Sequence, residues 1–116
     1  MRTRAFDPLF PDGGWNIVGM RSTTQVRFYV DPETGAPHIH RHHVTEEEVA
    51  DVLRGPHEVR SGFEGARIAI GQTRAGRYLR IIYTVDPKPS SVFCITAFDL
   101  GPKALWAFRR RQKKKP

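Results

Sequence analysis

The sequence has a single cysteine and no long apolar run, which argues against an internal disulfide and against a membrane-spanning helix. Cys94 has no partner for an internal disulfide, and its place in the apolar run Val92–Ile95 predicts a buried, unreactive thiol. No apolar stretch approaches the roughly 18 residues that a membrane-spanning helix needs. The basic start Met1–Arg4 is followed by Asp7 and prolines instead of a signal-peptide core, so we expect a cytoplasmic protein with no membrane partner.

The chain also lacks the patterns of several common enzyme classes. It has no Ser-His-Asp order, no obvious pair of catalytic carboxylates and no dinucleotide-binding fingerprint, which argues against the corresponding hydrolases and against dehydrogenases. No predicted helix follows the glycine-containing segment Gly71–Gly76, so nothing there would direct a helix N-terminus at a phosphate. We interpret that segment as a hairpin turn and predict no cofactor.

Positive charge is abundant and is concentrated at one end of the chain. The formal net charge is +7, and nearly all of the excess comes from residues close to the C-terminus. These are Arg109, Arg110, Arg111, Lys113, Lys114 and Lys115. Such a run attracts nucleic-acid phosphates through counterion release, without sequence preference. The alternative is a helix end whose cations favour the helix dipole and keep the protein in solution.

The order of predicted elements indicates the fold class. With 39% apolar and 27% charged residues, the 116-residue chain predicts one small folded domain. Thr45 and Gly55 delimit a short helix, and a second helical pattern starts at Pro102. The strand-type runs are Gln25–Val30, Ala66–Ile70, Tyr78–Val85 and Ser91–Phe98, and the first helix spans about Glu46 to Arg54. We therefore predict an α+β fold in which two or three short helices pack on a small, twisted antiparallel sheet of about four strands.

The densest group of titratable side chains is the segment His38–His43, just before the first helix. On a strand His38, His40 and His42 would share one face, and on a helix His38 and His42 would pair. Either arrangement could bind Zn or Ni, but no cysteine or upstream carboxylate completes the ligand set, so we predict no metal site. A structural or surface cluster and an acid–base or RNA-handling role remain as alternatives.

Arginine alternates with aromatic residues in the predicted strands. The group comprises Arg60, Arg67, Arg77, Arg80, Tyr78 and Tyr83. Alternation places Tyr78 and Arg80 on one face of their strand and Tyr83 on the other. Metal-free cleavage of RNA needs a base for the 2′-hydroxyl proton, cations for the phosphorane charge and an acid for the leaving oxygen, and His, Arg and Tyr can supply all three. The alternative is that these long side chains only cover an exposed sheet face.

From Val26 to Arg110 the chain resembles the BrnT-type ribonuclease toxins of bacterial toxin–antitoxin pairs, which belong with the RelE-like toxins. The segment Arg41–Val44 stands where the family has a Lys-His-Gly-Val run, and Gly76–Tyr83 stands where the family has a Gly-Arg strand. Two segments differ from the family. Gly35 and Pro37 interrupt the position of a full helix, where we expect a turn and a short helical piece, and Ile95–Asp99 ends without the family's arginine.

The resemblance implies a sheet that cradles RNA, metal-independent cleavage, and neutralisation by a cognate antitoxin protein, with the ribosome as a further candidate partner. Carried over, His42 would act as base or acid, Arg67 and Arg77 would hold the scissile phosphate, and Tyr83 would stack on or position the RNA. We add Arg80 to this catalytic set from its strand position. As RNA-binding residues we select His40, His43, Arg109, Arg110, Arg111 and Lys113.

The corresponding domain organisation has three parts. Residues 1–24 form an irregular N-terminal arm, residues 25–110 a RelE/BrnT-like domain, and residues 111–116 a basic C-terminal tail. The function that this organisation predicts is that of an endoribonuclease toxin. The alternative is a non-catalytic module of the same fold that binds nucleic acid or protein.

Overall fold

A capped helix and a six-stranded mixed sheet make up most of the computed structural model, which describes residues 15–87 and 90–113. The strands are β1 (Asn16–Val18), β2 (Gln25–Phe28), β3 (His57–Ser61), β4 (Arg67–Gln72), β5 (Tyr78–Val85) and β6 (Ser91–Asp99). The helices are α1 (Glu46–Arg54) and α2 (Pro102–Lys113), with short 3₁₀ helices at His38–His42 and Phe63–Gly65. The α+β class is as predicted from the sequence.

Helix α1 has the bounds that its capping signals predict. The Thr45 side chain accepts a hydrogen bond from the Glu48 amide, and the Glu48 carboxylate accepts one from the Thr45 amide, which completes a capping box. Val52 and Leu53 follow Val49 by three and four residues, and all three are fully buried against the sheet.

The sheet has the order β1-β3-β4-β5-β6-β2, which corrects the prediction of about four antiparallel strands. Strands β4 to β6 are antiparallel as predicted and β3 extends them antiparallel to β4, but β2 runs parallel to β6. The two additional strands, β1 and β3, carry weak sequence signals, because β1 has only three residues and β3 begins with the polar pair His57 and Glu58. The 3₁₀ helix His38–His42 occupies the place where a short helical piece was expected.

The boundaries of the predicted terminal segments also change. Strand β1 lies inside the segment predicted as an irregular arm, and α2 continues through Lys113 into the segment predicted as a tail. Residues 1–14 of that arm and residues 114–116 of that tail lie outside the described residues. In the parts of the chain that the structure describes, no helix is long and apolar enough to cross a membrane.

Strand alternation gives the sheet two different faces. We call the face under α1 the α1 face and the opposite one the α2 face. The α1 face carries the main core, to which Val59, Ala69, Leu79, Ile81, Tyr83, Cys94 and Ala97 contribute. Cys94 is fully buried there, as predicted, and burial raises the pKa of its thiol to about 12, which disfavours the reactive thiolate. The α2 face carries Glu58, Ile70, Tyr78, Arg80, Thr96 and Phe98, as the strand pairing requires.

Helix α2 is fixed to the sheet by a buried carboxylate. Glu58 is 1% exposed, and its carboxylate accepts hydrogen bonds from Arg111 Nε at 2.9 Å and Gln112 Nε2 at 3.1 Å. Phe108 packs edge-on against Tyr78, with ring centroids 5.8 Å apart. A carboxylate removed from water needs such partners, because desolvation otherwise destabilises the charge.

We expect the Arg111→Ala variant to lose about 2 kcal/mol of unfolding free energy, because the buried Glu58 carboxylate loses its cation. Urea denaturation measures the effect. The matched control is Arg110→Ala, one position away and stacked on exposed Trp106, which should stay within about 0.5 kcal/mol of wild type. Equal stability of the two variants would contradict the structural role of the Glu58 contact.

A second expectation concerns His57, which is buried between α1 and the sheet and approaches Gly71 closely. Burial is the main cause that lowers the pKa of His57 below the ordinary value of 6.5. The unfolded chain therefore binds a proton more readily than the folded one, so stability is lost as the pH falls from about 6.5 towards the folded-state pKa. Melting temperatures between pH 7.5 and 5 should decrease in wild type and decrease less in His57→Asn. If the melting temperatures of wild type and His57→Asn decrease equally with pH, another group is responsible for the loss of stability.

Candidate functional site

The residues predicted as catalytic do not form one cluster. Strand alternation divides them between the two faces and one end of the sheet. His42 and Arg80 both neighbour Phe98 at the α2 face, Arg67 and Tyr83 lie on the α1 face, and Arg77 precedes β5 and binds the His42 backbone carbonyl. The side chains predicted as catalytic therefore do not converge on one point.

On the α2 face, His42 and Arg80 are both neighbours of one aromatic ring, that of Phe98. Arg80 on β5 pairs with Phe98 on β6, and directly opposed side chains in an antiparallel pair are neighbours. The His42 ring packs edge-on against the Phe98 ring, with centroids 5.7 Å apart. Among the described residues, Arg80 Nε and Thr96 Oγ1 are buried without a hydrogen-bond partner. The two orphaned groups lie on neighbouring strands at adjacent positions of this face.

Beside Phe98, a second imidazole extends the same row of rings. His38 packs edge-on against His42 at 5.4 Å, and Tyr29 lies 6.2 Å from His38. His38 Nδ1 lies 3.4 Å from the Asp31 carboxylate, which orients its ring and which also accepts a hydrogen bond from Arg41. His42 is exposed. Two imidazoles in contact, one held by a carboxylate and one open to solvent, can provide a proton acceptor and a proton donor.

The other two predicted histidines have different surroundings. His40 Nε2 lies 2.8 Å from Glu46, and this contact is the main cause that lowers the pKa of that carboxyl. His43 ends the 3₁₀ helix in the left-handed conformation, with φ of 58°. Neither ring joins the row of His38, His42 and Phe98.

Arg77 has every one of its donors occupied. Nε and Nη2 bind Asp99 at 2.7 and 3.0 Å, and Nη1 binds Glu48 at 2.9 Å. The remaining two N–H groups bind the carbonyl oxygens of His43 at 2.6 Å and His42 at 3.3 Å. A guanidinium has five N–H donors, so a phosphate could bind Arg77 only by displacing one of these partners. The Asp99 contact is the main cause that raises the pKa of Arg77.

Arg67 and Tyr83 pair across strands on the α1 face, away from His42. They line a cavity of about 230 Å³ together with Val18, Met20 and Val59. Burial raises the pKa of the Tyr83 hydroxyl, and Arg67 acts in the opposite direction. The segment that links β1 to β2 borders this cavity through Met20. The Met20 amide also donates a hydrogen bond to the Leu53 carbonyl, which holds this segment against α1.

The basic residues of α2 are distributed around the helix. Arg111 binds Glu58, while the Arg109 guanidinium lies 5.3 Å from the Tyr78 ring and that of Arg110 lies 4.7 Å from the Trp106 ring. Lys113 is exposed. Of the four α2 cations predicted to bind RNA, Arg111 therefore fixes the helix to the sheet. The other three, Arg109, Arg110 and Lys113, lie at the surface.

No metal centre is evident in the described ranges 15–87 and 90–113, where no three His, Cys, Asp or Glu side chains converge as a ligand set. Three residues of the α2 face and of α2 were missed by the sequence analysis, namely Thr96, Phe98 and Trp106. Alternation along β6 would have placed Thr96 and Phe98 together, but only the pairing with β5 puts Arg80 beside them.

Because Arg77 joins Glu48, Asp99 and the end of the 3₁₀ helix, we expect Arg77→Ala to lower the unfolding free energy by about 2 kcal/mol. Arg77→Lys retains the charge but not the planar fork, so most of the loss should remain. Urea denaturation compares both with Arg74→Ala, which changes an exposed side chain in the adjacent turn. If Arg77→Ala has the same unfolding free energy as wild type, Arg77 does not hold these segments together.

Comparison of the chain with protein-family models, with curated proteins and with solved structures finds no match in any of the three. The likeness to the BrnT-type toxins therefore remains a resemblance in motif order and spacing.

Proposed function

We propose that the protein is a metal-independent endoribonuclease that takes single-stranded RNA on the α2 face of its sheet. The observation that carries the proposal is the contact of His42 with Phe98, which places an exposed imidazole beside the strand position of Arg80. An acid–base group, an aromatic ring and a guanidinium are the parts that a nuclease of this type needs.

The chemistry follows from these groups. One imidazole removes the proton of the ribose 2′-hydroxyl, the 2′-oxygen forms a bond to phosphorus, and the bond from phosphorus to the 5′-oxygen breaks. The leaving 5′-oxygen takes a proton from the other imidazole, which gives a 2′,3′-cyclic phosphate and a 5′-hydroxyl. We assign the acceptor role to exposed His42 and the donor role to His38 beside Asp31.

The charge that develops on phosphorus needs a cation within the site. Arg80 fits this role better than Arg67 or Arg77, because it lies on the same face of the sheet as Phe98. Aromatic rings beside such a cation bind unstacked bases, which favours single-stranded RNA over a duplex.

Arg77 has a positioning role in this proposal. Its bonds to the His42 and His43 carbonyls fix the end of the 3₁₀ helix, and this sets where the His42 ring meets Phe98. Arg67 and Tyr83 lie on the opposite face and are not part of the reacting centre. In the toxin–antitoxin context that the resemblance implies, the antitoxin would inhibit the enzyme by covering the α2 face, and the ribosome would be a candidate site of action.

A non-catalytic RNA-binding module is the second candidate. It is favoured by Asp99 and the fully occupied Arg77, which leave fewer uncommitted cations near His42 than the resemblance implies. The two candidates share the RNA surface and differ in whether the imidazoles transfer protons.

Single-turnover cleavage of an end-labelled single-stranded RNA, with and without EDTA, tests the proposal. We expect EDTA-resistant cleavage that falls at least about 100-fold in His42→Asn and in Arg80→Ala, since general acid–base catalysis contributes roughly 10²–10⁴-fold. The matched control is His40→Asn in the same 3₁₀ helix, which should cleave at the wild-type rate when protein is saturating, because His40 binds Glu46 and lies outside the row of rings at Phe98. A 2′-deoxy substitution at the cleavage position should block the reaction.

Three results would contradict nuclease activity of this kind. Wild-type protein that binds RNA but never cleaves it, even with ribosomes present, would support the binding module. Equal rates in His42→Asn and wild type would remove His42 from the mechanism. Loss of cleavage in EDTA that added metal restores would show that the reaction depends on a metal ion.

A further inference from the structure

Helix α2 has an outward face that the proposed reaction does not use. Phe108, Arg111 and Gln112 contact the sheet, and residues on the far side of the helix therefore point away from it. Those residues are Lys103, Trp106, Arg110 and Lys113, which recur at helical spacing. We call them the outer stripe. All four are exposed.

Trp106 is the unusual member of the outer stripe. Its side chain is 61% exposed, although a tryptophan carries a large apolar ring that folding normally buries. The Arg110 guanidinium lies over the ring at 4.7 Å, one helical turn further along. An exposed indole beside a cation is a suitable platform for a nucleobase whose phosphate contacts that cation.

Charge supports an anionic occupant. Helix α2 contains no Asp or Glu, so the outer stripe has no carboxylate of its own helix to neutralise Arg110, Lys103 or Lys113. Insertion into a lipid surface would require a continuous apolar stripe, whereas Trp106 is the single apolar residue among the four. A polyanion with flat aromatic groups matches both the charge and the ring.

Arg109 connects the outer stripe to the α2 face. Its guanidinium lies 5.3 Å from the Tyr78 ring, and Tyr78 and Arg80 share that face of β5. Trp106, Arg109 and Tyr78 thus provide alternating aromatic and cationic groups from the outside of α2 towards Arg80.

We infer that the outer stripe is a second RNA-binding subsite, in which an unpaired base stacks on Trp106 and its phosphate binds Arg110. This inference rests on the proposed function, because it extends the same single-stranded RNA beyond the nucleotides at His42. It predicts that longer RNA binds more tightly than RNA that reaches only the sheet.

The test uses a 12-nucleotide single-stranded RNA made resistant to cleavage by 2′-deoxy substitution and labelled for fluorescence anisotropy. We expect Trp106→Ala to weaken binding about tenfold, in line with the loss of one stacked base. Arg110→Ala should reduce the slope of log affinity against log salt by about one, whereas Arg110→Lys should retain it. In a Trp15→Phe background, where Trp106 is the only tryptophan, RNA should quench the indole fluorescence.

The matched control is Phe63→Ala, which removes another exposed aromatic ring, 71% exposed and located between β3 and β4. It should bind RNA like wild type. If wild type binds and cleaves RNA, Trp106→Ala binds RNA equally well, and RNA does not quench Trp106 fluorescence in Trp15→Phe, the inference is wrong and the proposed function stands. If wild type neither binds nor cleaves RNA, both are wrong. Quenching by an acidic peptide or anionic vesicles but not by RNA would overturn the assignment of RNA as occupant.

Discussion

The guanidinium of Arg77 is the constraint on which the arrangement of the α2-face site depends. It connects the first turn of α1, the end of the His38–His42 3₁₀ helix, the start of β5 and the end of β6. These segments are far apart in the sequence, and none of them places His42 beside Phe98 by local preference alone. Five directed hydrogen bonds from a planar group fix both distance and orientation, which a single point charge would not do. Glu48 serves twice, since the carboxylate that caps α1 also binds Arg77.

The two faces of the sheet have separate roles. The α1 face supplies the apolar core, and even its polar members, Tyr83 and His57, are buried there. The α2 face is covered in part by α2 and carries aromatic rings, arginines and unpaired polar atoms. Burial on the first face provides stability that allows the second to keep groups that contribute little to folding. Glu58 is the exception, because its carboxylate on the α2 face fixes α2 by binding Arg111.

Local signals in the sequence were sufficient to predict some helices and strands but not others. Thr45, Glu48 and Gly55 defined α1 to the residue, since caps and spacing are properties of the adjacent chain. Strand β3 was missed because His57 and Glu58 are polar but buried, and the Arg111 that binds Glu58 is 53 residues away, which no local pattern reveals. The same holds for the site. Alternation separated Arg80 from Tyr83, although the predicted catalytic set contained both, and the engagement of Arg77 depends on Asp99, which is 22 residues away.

The parallel pairing of β2 with β6 has a consequence for how the chain folds during synthesis. Gln25 is aligned with Ser91 and Phe28 with Cys94, so β2 acquires this hydrogen-bonding partner only after β6 has been made. Closing so long a loop costs chain entropy before the contact stabilises it, and such contacts slow folding. Phe98, α2 and the outer stripe are made later still. A nascent chain would therefore lack the complete α2 face until these segments have been made, and β2 would remain without its hydrogen-bonding partner in the meantime.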